Sequence, residues 1–153
     1  MTDRPSPTTI RAWARLMAAQ QLALSSVERD LKAAGLPPLA WYDVLLELER
    51  GPAEGMRPFE LERAMLLAQY NLSRLIDRLE KAGHVERRAC EDDGRGQNVV
   101  LTERGRTLRR RMWPVYARAI EAALGRHLTA KQSAMLDDIL GRLVEGQRAG
   151  RLP

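Results

Sequence analysis

The sequence predicts a mainly α fold with one small β-hairpin, on three observations. Apolar residues recur at intervals of three and four along most of the chain, the period of helices that bury one side. Only two short runs, HVERRAC (84–90) and QNVVL (97–101), read as strands, and a glycine-containing loop lies between them. Glycine and proline punctuate the ends of the periodic segments, as in Gly35-Leu36-Pro37-Pro38 and at Gly83.

The chain has 153 residues, enough for one domain with a fair core, and its 44% hydrophobic content excludes wholesale disorder. The net charge of +5 favours a polyanionic partner. Its placement says more: Arg57 to Arg111 carry 13 Lys and Arg against 9 Asp and Glu, leaving 12 against 11 elsewhere. Cys90 is the only cysteine, so no intrachain disulfide is expected, and the two histidines form no metal-ligand spacing. The opening MTDRPSPTT has no apolar core, and no run approaches the roughly 20 apolar residues of a membrane span. A cytoplasmic protein without cofactor is the expectation.

Residues 1–7, with two prolines, read as a loose arm. Thr8 or Thr9 is then the expected cap of a first helix, 8–34. Its seam of Ile10, Trp13, Met17, Leu24, Val27, Leu31 and Ala34 is interrupted only by Gln20. Such a helix is about 40 Å long and outruns so small a globule, so the seam is expected to pack against a second chain. A second helix is expected over 39–50 with Trp41, Val44, Leu45 and Leu48 inward. After the loop GPAEGMRP, a short helix begins at Pro58 and carries Phe59, Leu61, Ala64 and Met65. The next helix buries Leu72, Leu75, Ile76 and Leu79, turns Arg74 and Arg78 outward, and ends at Lys81-Ala82-Gly83. Beyond the hairpin, Thr102 should cap a helix reaching Arg126 with Pro114 inside it, and Thr129 should cap a last one. Both are broadly striped with apolar residues, which predicts a homodimer held by 8–34 and 103–148 around a lobe over 35–102.

A helix with one polar face beside a protruding charged hairpin suits a groove and its flanking phosphates. The run LSRLIDRLEKAGHVERR (72–88), then Asp93-Gly94-Arg95-Gly96, then Leu101-Thr102-Glu103-Arg104-Gly105 resembles the winged helix-turn-helix of the MarR (multiple antibiotic resistance regulator) family of bacterial transcription regulators. The resemblance implies a homodimeric, sequence-specific repressor on a pseudo-palindromic operator in double-stranded DNA. Gln69, Tyr70, Asn71, Ser73 and Arg74 would then lie at the start of the recognition helix and meet base edges, with Arg78 on phosphate. Asp93 and Arg95 match the family's wing pair, in which the carboxylate orients an arginine that enters the minor groove. Arg88 and Arg57 are assigned to phosphates. The resemblance further implies a small aromatic or phenolic effector, for which Trp13, Trp41 and Tyr42 are the candidates, although aromatics at these spacings are also ordinary core.

One departure concerns Ala68, where the family has Ser or Thr as the recognition-helix cap; alanine would cost about 1 kcal/mol there. With the acidic run Glu91-Asp92-Asp93 it supports an alternative, a winged-helix protein-interaction module that no longer binds DNA. Cys90 has no second thiol or activating base nearby in sequence, so a redox role is not expected. Arg109-Arg110-Arg111 reads as a solvated face. No nucleophile-base pair, phosphate loop or metal set marks an enzyme.

Overall fold

The computed structural model describes residues 4–66, 71–90 and 96–150. The order is α1 (Pro7–Ala33), α2 (Leu39–Arg50), α3 (Pro58–Ala64), α4 (Leu72–Lys81), β1 (Val85–Ala89), β2 (Gln97–Leu101), α5 (Glu103–Ala123), a 3-10 turn (Gly125–His127) and α6 (Ala130–Ala149). The chain divides into two compact units, Val27–Ala117 and the two terminal stretches.

In the Val27–Ala117 unit, α2 is the central element. Its Leu39, Ala40, Tyr42, Asp43, Val44, Leu45 and Leu48 are all buried, a wider face than the expected stripe, while Trp41 is only half-buried. The start of α2 shows why it sits where it does. Pro38 offers no side-chain cap, and the carboxylate of Glu28 on α1 accepts the Leu39 N–H instead, at 3.1 Å. An anion at a helix N-terminus also meets the positive end of the helix dipole. Val27 and Leu31 from α1 and Leu108 and Met112 from α5 complete this core, so the unit is wider than 35–102.

Local signals account for most boundaries. Ser6, rather than Thr8 or Thr9, caps α1: its hydroxyl accepts the Thr9 N–H at 3.1 Å, and Pro7 takes the first helical position, where its missing N–H costs nothing. Gly83 has φ +82°, and the Gly83 and His84 amides donate to the Glu80 and Leu79 carbonyls, closing α4 with the left-handed cap expected of it. The Thr102 hydroxyl accepts the Gly105 N–H at 3.1 Å and donates to the Gly83 carbonyl at 2.7 Å, tying the start of α5 to the end of α4. Helix α5 runs through Pro114 and stops at Ala123, three residues short of Arg126.

The hairpin is antiparallel, with Val85 opposite Leu101 and Arg87 opposite Val99. Met56 adds a third rung on the far side of β2, exchanging both backbone hydrogen bonds with Val99. Gly55, at φ +91°, lies so close to the Val99 carbonyl that a Cβ there would collide with it. Phe59 departs from expectation: in so short a helix Leu61 takes the inward position, and Phe59 is exposed with the Arg63 guanidinium 5.8 Å over its ring. Arg109 departs too, because it pairs with Glu49 of α2 instead of standing in solvent.

The other unit contains the first turns of α1, the end of α5, and α6. Thr129 caps α6 as expected, accepting the Gln132 N–H at 3.2 Å while Gln132 accepts the Thr129 N–H at 2.9 Å. No described residue of α6 is buried, and its Ile139, Leu143 and Val144 are exposed, as are Ile10, Trp13 and Met17 of α1. An apolar groove of about 400 Å³ runs between Leu16 and Met17 on one side and Leu140, Leu143 and Val144 on the other.

Candidate nucleic-acid interface

Helix α4 is divided cleanly by polarity. Leu72, Leu75, Ile76 and Leu79 are buried, and Ser73, Arg74, Asp77 and Arg78 are exposed. Among the described residues neither Arg74 nor Arg78 is in an ion pair, which leaves two cations one turn apart on the solvent side. The helix begins later than the sequence reading had it. Asn71 is its cap, with Oδ1 accepting the Arg74 N–H at 3.2 Å, so this side-chain oxygen is engaged by the helix itself. The penalty attached to alanine at position 68 therefore does not apply to the start of α4. Gln69, Tyr70 and Ala68 lie outside the described residues, as do Asp93 and Arg95 of the wing loop.

Asp43 holds the segment ahead of α4. It is 6% exposed on α2, and its Oδ2 accepts the Leu66 N–H at 2.8 Å. A buried carboxylate requires such donors, since without them the charge would be lost to protonation. The sequence reading missed it because Asp43 stands inside an otherwise apolar run.

The two hairpin arginines behave differently, as alternation along a strand requires. Arg88 points outward and pairs with Glu86 of its own strand at 2.9 Å, both side chains being exposed. Arg87 turns toward α4: Nη2 meets Asp77 Oδ1 at 2.6 Å, Nη1 meets Glu80 Oε1 at 2.9 Å, and the Arg87 N–H donates to Glu80 Oε2 at 2.9 Å. Burial works against its charge, but the two carboxylates outweigh that and raise its pKa above that of free arginine. Arg57, which precedes α3, is brought beside the wing; a Cβ on Gly96 would come within 2.7 Å of its guanidinium. The Cys90 thiol donates to Asn98 Oδ1 at 3.0 Å, and Asn98 Nδ2 donates to the Glu54 carbonyl at 3.2 Å, so Cys90 orients the asparagine that joins the hairpin to the α2–α3 loop.

The three effector candidates do not share one environment. Trp41 packs edge-on against His84, ring centres 5.8 Å apart. Tyr42 joins Trp113 and Tyr116, at 6.2 and 5.1 Å, a cluster not foreseen because its members are about seventy residues apart in sequence. Trp13 belongs to the other unit and is 64% exposed. Partial burial lowers the His84 pKa from 6.5, while Arg104 acts both ways, through a backbone hydrogen bond that raises it and a charge that lowers it.

A family model described as the MarR family matches residues 34–96. The fold matches that of Sco3205, a MarR family transcriptional regulator from Streptomyces coelicolor solved in complex with DNA, with TM-score 0.82 and 30% identity, covering 95% of this chain and 92% of that one. The chain belongs to the MarR family. The transcriptional repressor MprA of Escherichia coli is 33% identical over 98 residues, 64% of this chain and 55% of its own length. The transcriptional activatory protein BadR of Rhodopseudomonas palustris is 33% identical over 108 residues, 70% of this chain and 59% of its own. The chain thus spans a little more than half of each of these two curated relatives. Among the described residues no group of His, Cys, Asp and Glu could hold a metal ion, and no helix is long and apolar enough to cross a membrane.

Proposed function

We propose that the protein is a sequence-specific DNA-binding transcription regulator, a cytoplasmic homodimer that represses from a pseudo-palindromic operator. The observation that carries this reading is α4, whose inner face is wholly buried while its outer face offers Arg74 and Arg78, which are in no ion pair among the described residues, next to the arginine-bearing hairpin. In this reading Ser73 and Arg74 meet base edges together with Gln69 and Tyr70, and Arg57, Arg78 and Arg88 meet phosphates. Asp93 and Arg95 form the minor-groove element. The exposed apolar positions of α1 and α6 support the dimer, since a second copy would cover them. Two recognition helices related by a twofold axis would then read half-sites about one helical turn apart. The cluster of Tyr42, Trp113 and Tyr116 supports an aromatic effector, because Trp113 is exposed at its edge. The non-DNA module loses one of its two supports now that Asn71 caps α4.

The test uses a duplex selected from a random-sequence pool by the full-length protein, titrated across a salt series. Affinity should fall steeply as salt rises, in proportion to the phosphates neutralised. Arg78→Ala should reduce that slope by about one for all sequences, whereas Arg74→Ala should also relax preference at particular base pairs. A folded protein that binds no duplex at low salt would sink the proposal.

A further inference from the structure

Helix α4 and the hairpin are consecutive elements joined by Ala82, Gly83 and His84, and the backbone bonds there hold only the base of the joint. Further out, the side-chain link between the hairpin and α4 among the described residues is Arg87, while Met56 and Asn98 tie the hairpin to the α2–α3 loop. One residue closes three hydrogen bonds to two helical carboxylates: its backbone and its Nη1 take both oxygens of Glu80, and its Nη2 takes Asp77. Asp77 and Glu80 are three apart, so they share one flank of α4, next to the face carrying Arg74 and Arg78. Its neighbour Arg88 forms an exposed pair with Glu86 of its own strand and makes no link to α4 among the described residues.

We infer that Arg87 is a positioning residue that fixes the angle between α4 and the wing, so that both reach DNA as one preformed unit, without itself touching DNA. The inference rests on the DNA-binding reading above. Its physical basis is preorganisation: a wing free to swing must be ordered at the moment of binding, and apparent affinity falls by the fraction of molecules in the competent arrangement. A fixed hairpin carries no such loss.

The sign of the effect separates this role from simple electrostatics. Asp77 and Glu80 are negative charges beside a surface that meets phosphates, so neutralising either should tighten binding if charge alone mattered. If they anchor Arg87, neutralising them should weaken it. Full-length wild type, Glu80→Gln, Asp77→Asn and Arg87→Met are titrated with a duplex selected from a random-sequence pool by the wild type, over a salt series. Hydrogen exchange of each free protein shows whether the buried side of α4 stays folded. We expect Glu80→Gln and Arg87→Met to weaken binding about tenfold, a competent fraction of about one in ten. The salt slope should stay unchanged, β1 amides should exchange faster, and α4 amides should keep their protection. A double variant carrying Glu80→Gln and Arg87→Met should be no weaker than Arg87→Met alone, since both changes remove one linkage. Tighter or unchanged binding by Glu80→Gln overturns the inference, and so does a slope lowered by about one in Arg87→Met, which would make Arg87 a phosphate contact. Should the wild type bind no duplex at low salt, the regulator reading and this inference fall together; wild-type binding that Glu80→Gln leaves intact overturns this inference alone.

Discussion

The two compact units of this chain solve the burial problem in different ways. In Val27–Ala117 the large apolar side chains of α2, α4 and β2 are enclosed, and Leu31, Leu45, Leu79 and Met112 are all but inaccessible. In the terminal stretches Ala119 is the one buried apolar residue among the described residues, and Leu143 is 50% exposed. Both carry helical apolar stripes of similar regularity. Periodicity therefore announces that a face will be covered, but it does not say whether the cover comes from the same chain.

The strongest way to test that contrast is to remove matched leucines. Leu79→Ala should cost about 2–5 kcal/mol, from lost burial and the cavity left behind, and the loss in thermal denaturation should be the same at every protein concentration. Under the proposed homodimer, Leu143→Glu should instead shift sedimentation from dimer toward monomer and lower the melting temperature by an amount that varies with protein concentration. If Leu143→Glu lowers stability equally at all concentrations, the terminal helices are an ordinary core and the contrast fails.

Asp43→Asn sharpens the contrast within the enclosed unit. It keeps the shape but weakens a charge-assisted bond to the Leu66 amide, so a loss of about 1–3 kcal/mol is expected in chemical denaturation. Unchanged stability would mean the carboxylate is not holding that segment. The smallest effect concerns His84, whose pKa burial lowers from 6.5. Between that folded value and 6.5 the unfolded chain binds more protons. The contribution of His84 is therefore complete above pH 6.5 and lost as pH falls through the folded value. His84→Gln should flatten the acid side of the stability profile below pH 6.5; an identical profile would assign that slope to other groups.

Much of the fold was legible where neighbours in sequence decide the outcome. The α4 stripe, the Gly83 cap, and the Thr102 and Thr129 caps each depend on residues no more than seven positions apart, and each stands as expected. Apart from the caps at Ser6 and Asn71, each three residues from its partner, the misses are mostly long-range. Glu28 caps α2 from eleven residues away, Asp43 reaches Leu66 across twenty-three, and Met56 joins a hairpin that begins about thirty residues later. Phe59 was read inward because seven residues are too few for periodicity to separate it from Leu61. At the interface, Arg74 and Arg78 could be placed on the outer face by counting turns. The roles of Asn71 as cap and Arg87 as tie could not, since each side chain had more than one partner within reach.

The order of helices, the polarity of their faces and the place of the hairpin came from the sequence alone, because backbone hydrogen bonding imposes fixed periods and the ends of helices need particular residues. Which charges would be spent inside the molecule and which left for a partner was decided only in three dimensions. Arg78, Arg87 and Arg88 are chemically alike in the sequence. Their environments differ because packing brings Asp77 and Glu80 to Arg87, pairs Arg88 with Glu86 of its own strand, and leaves Arg78 in no ion pair among the described residues.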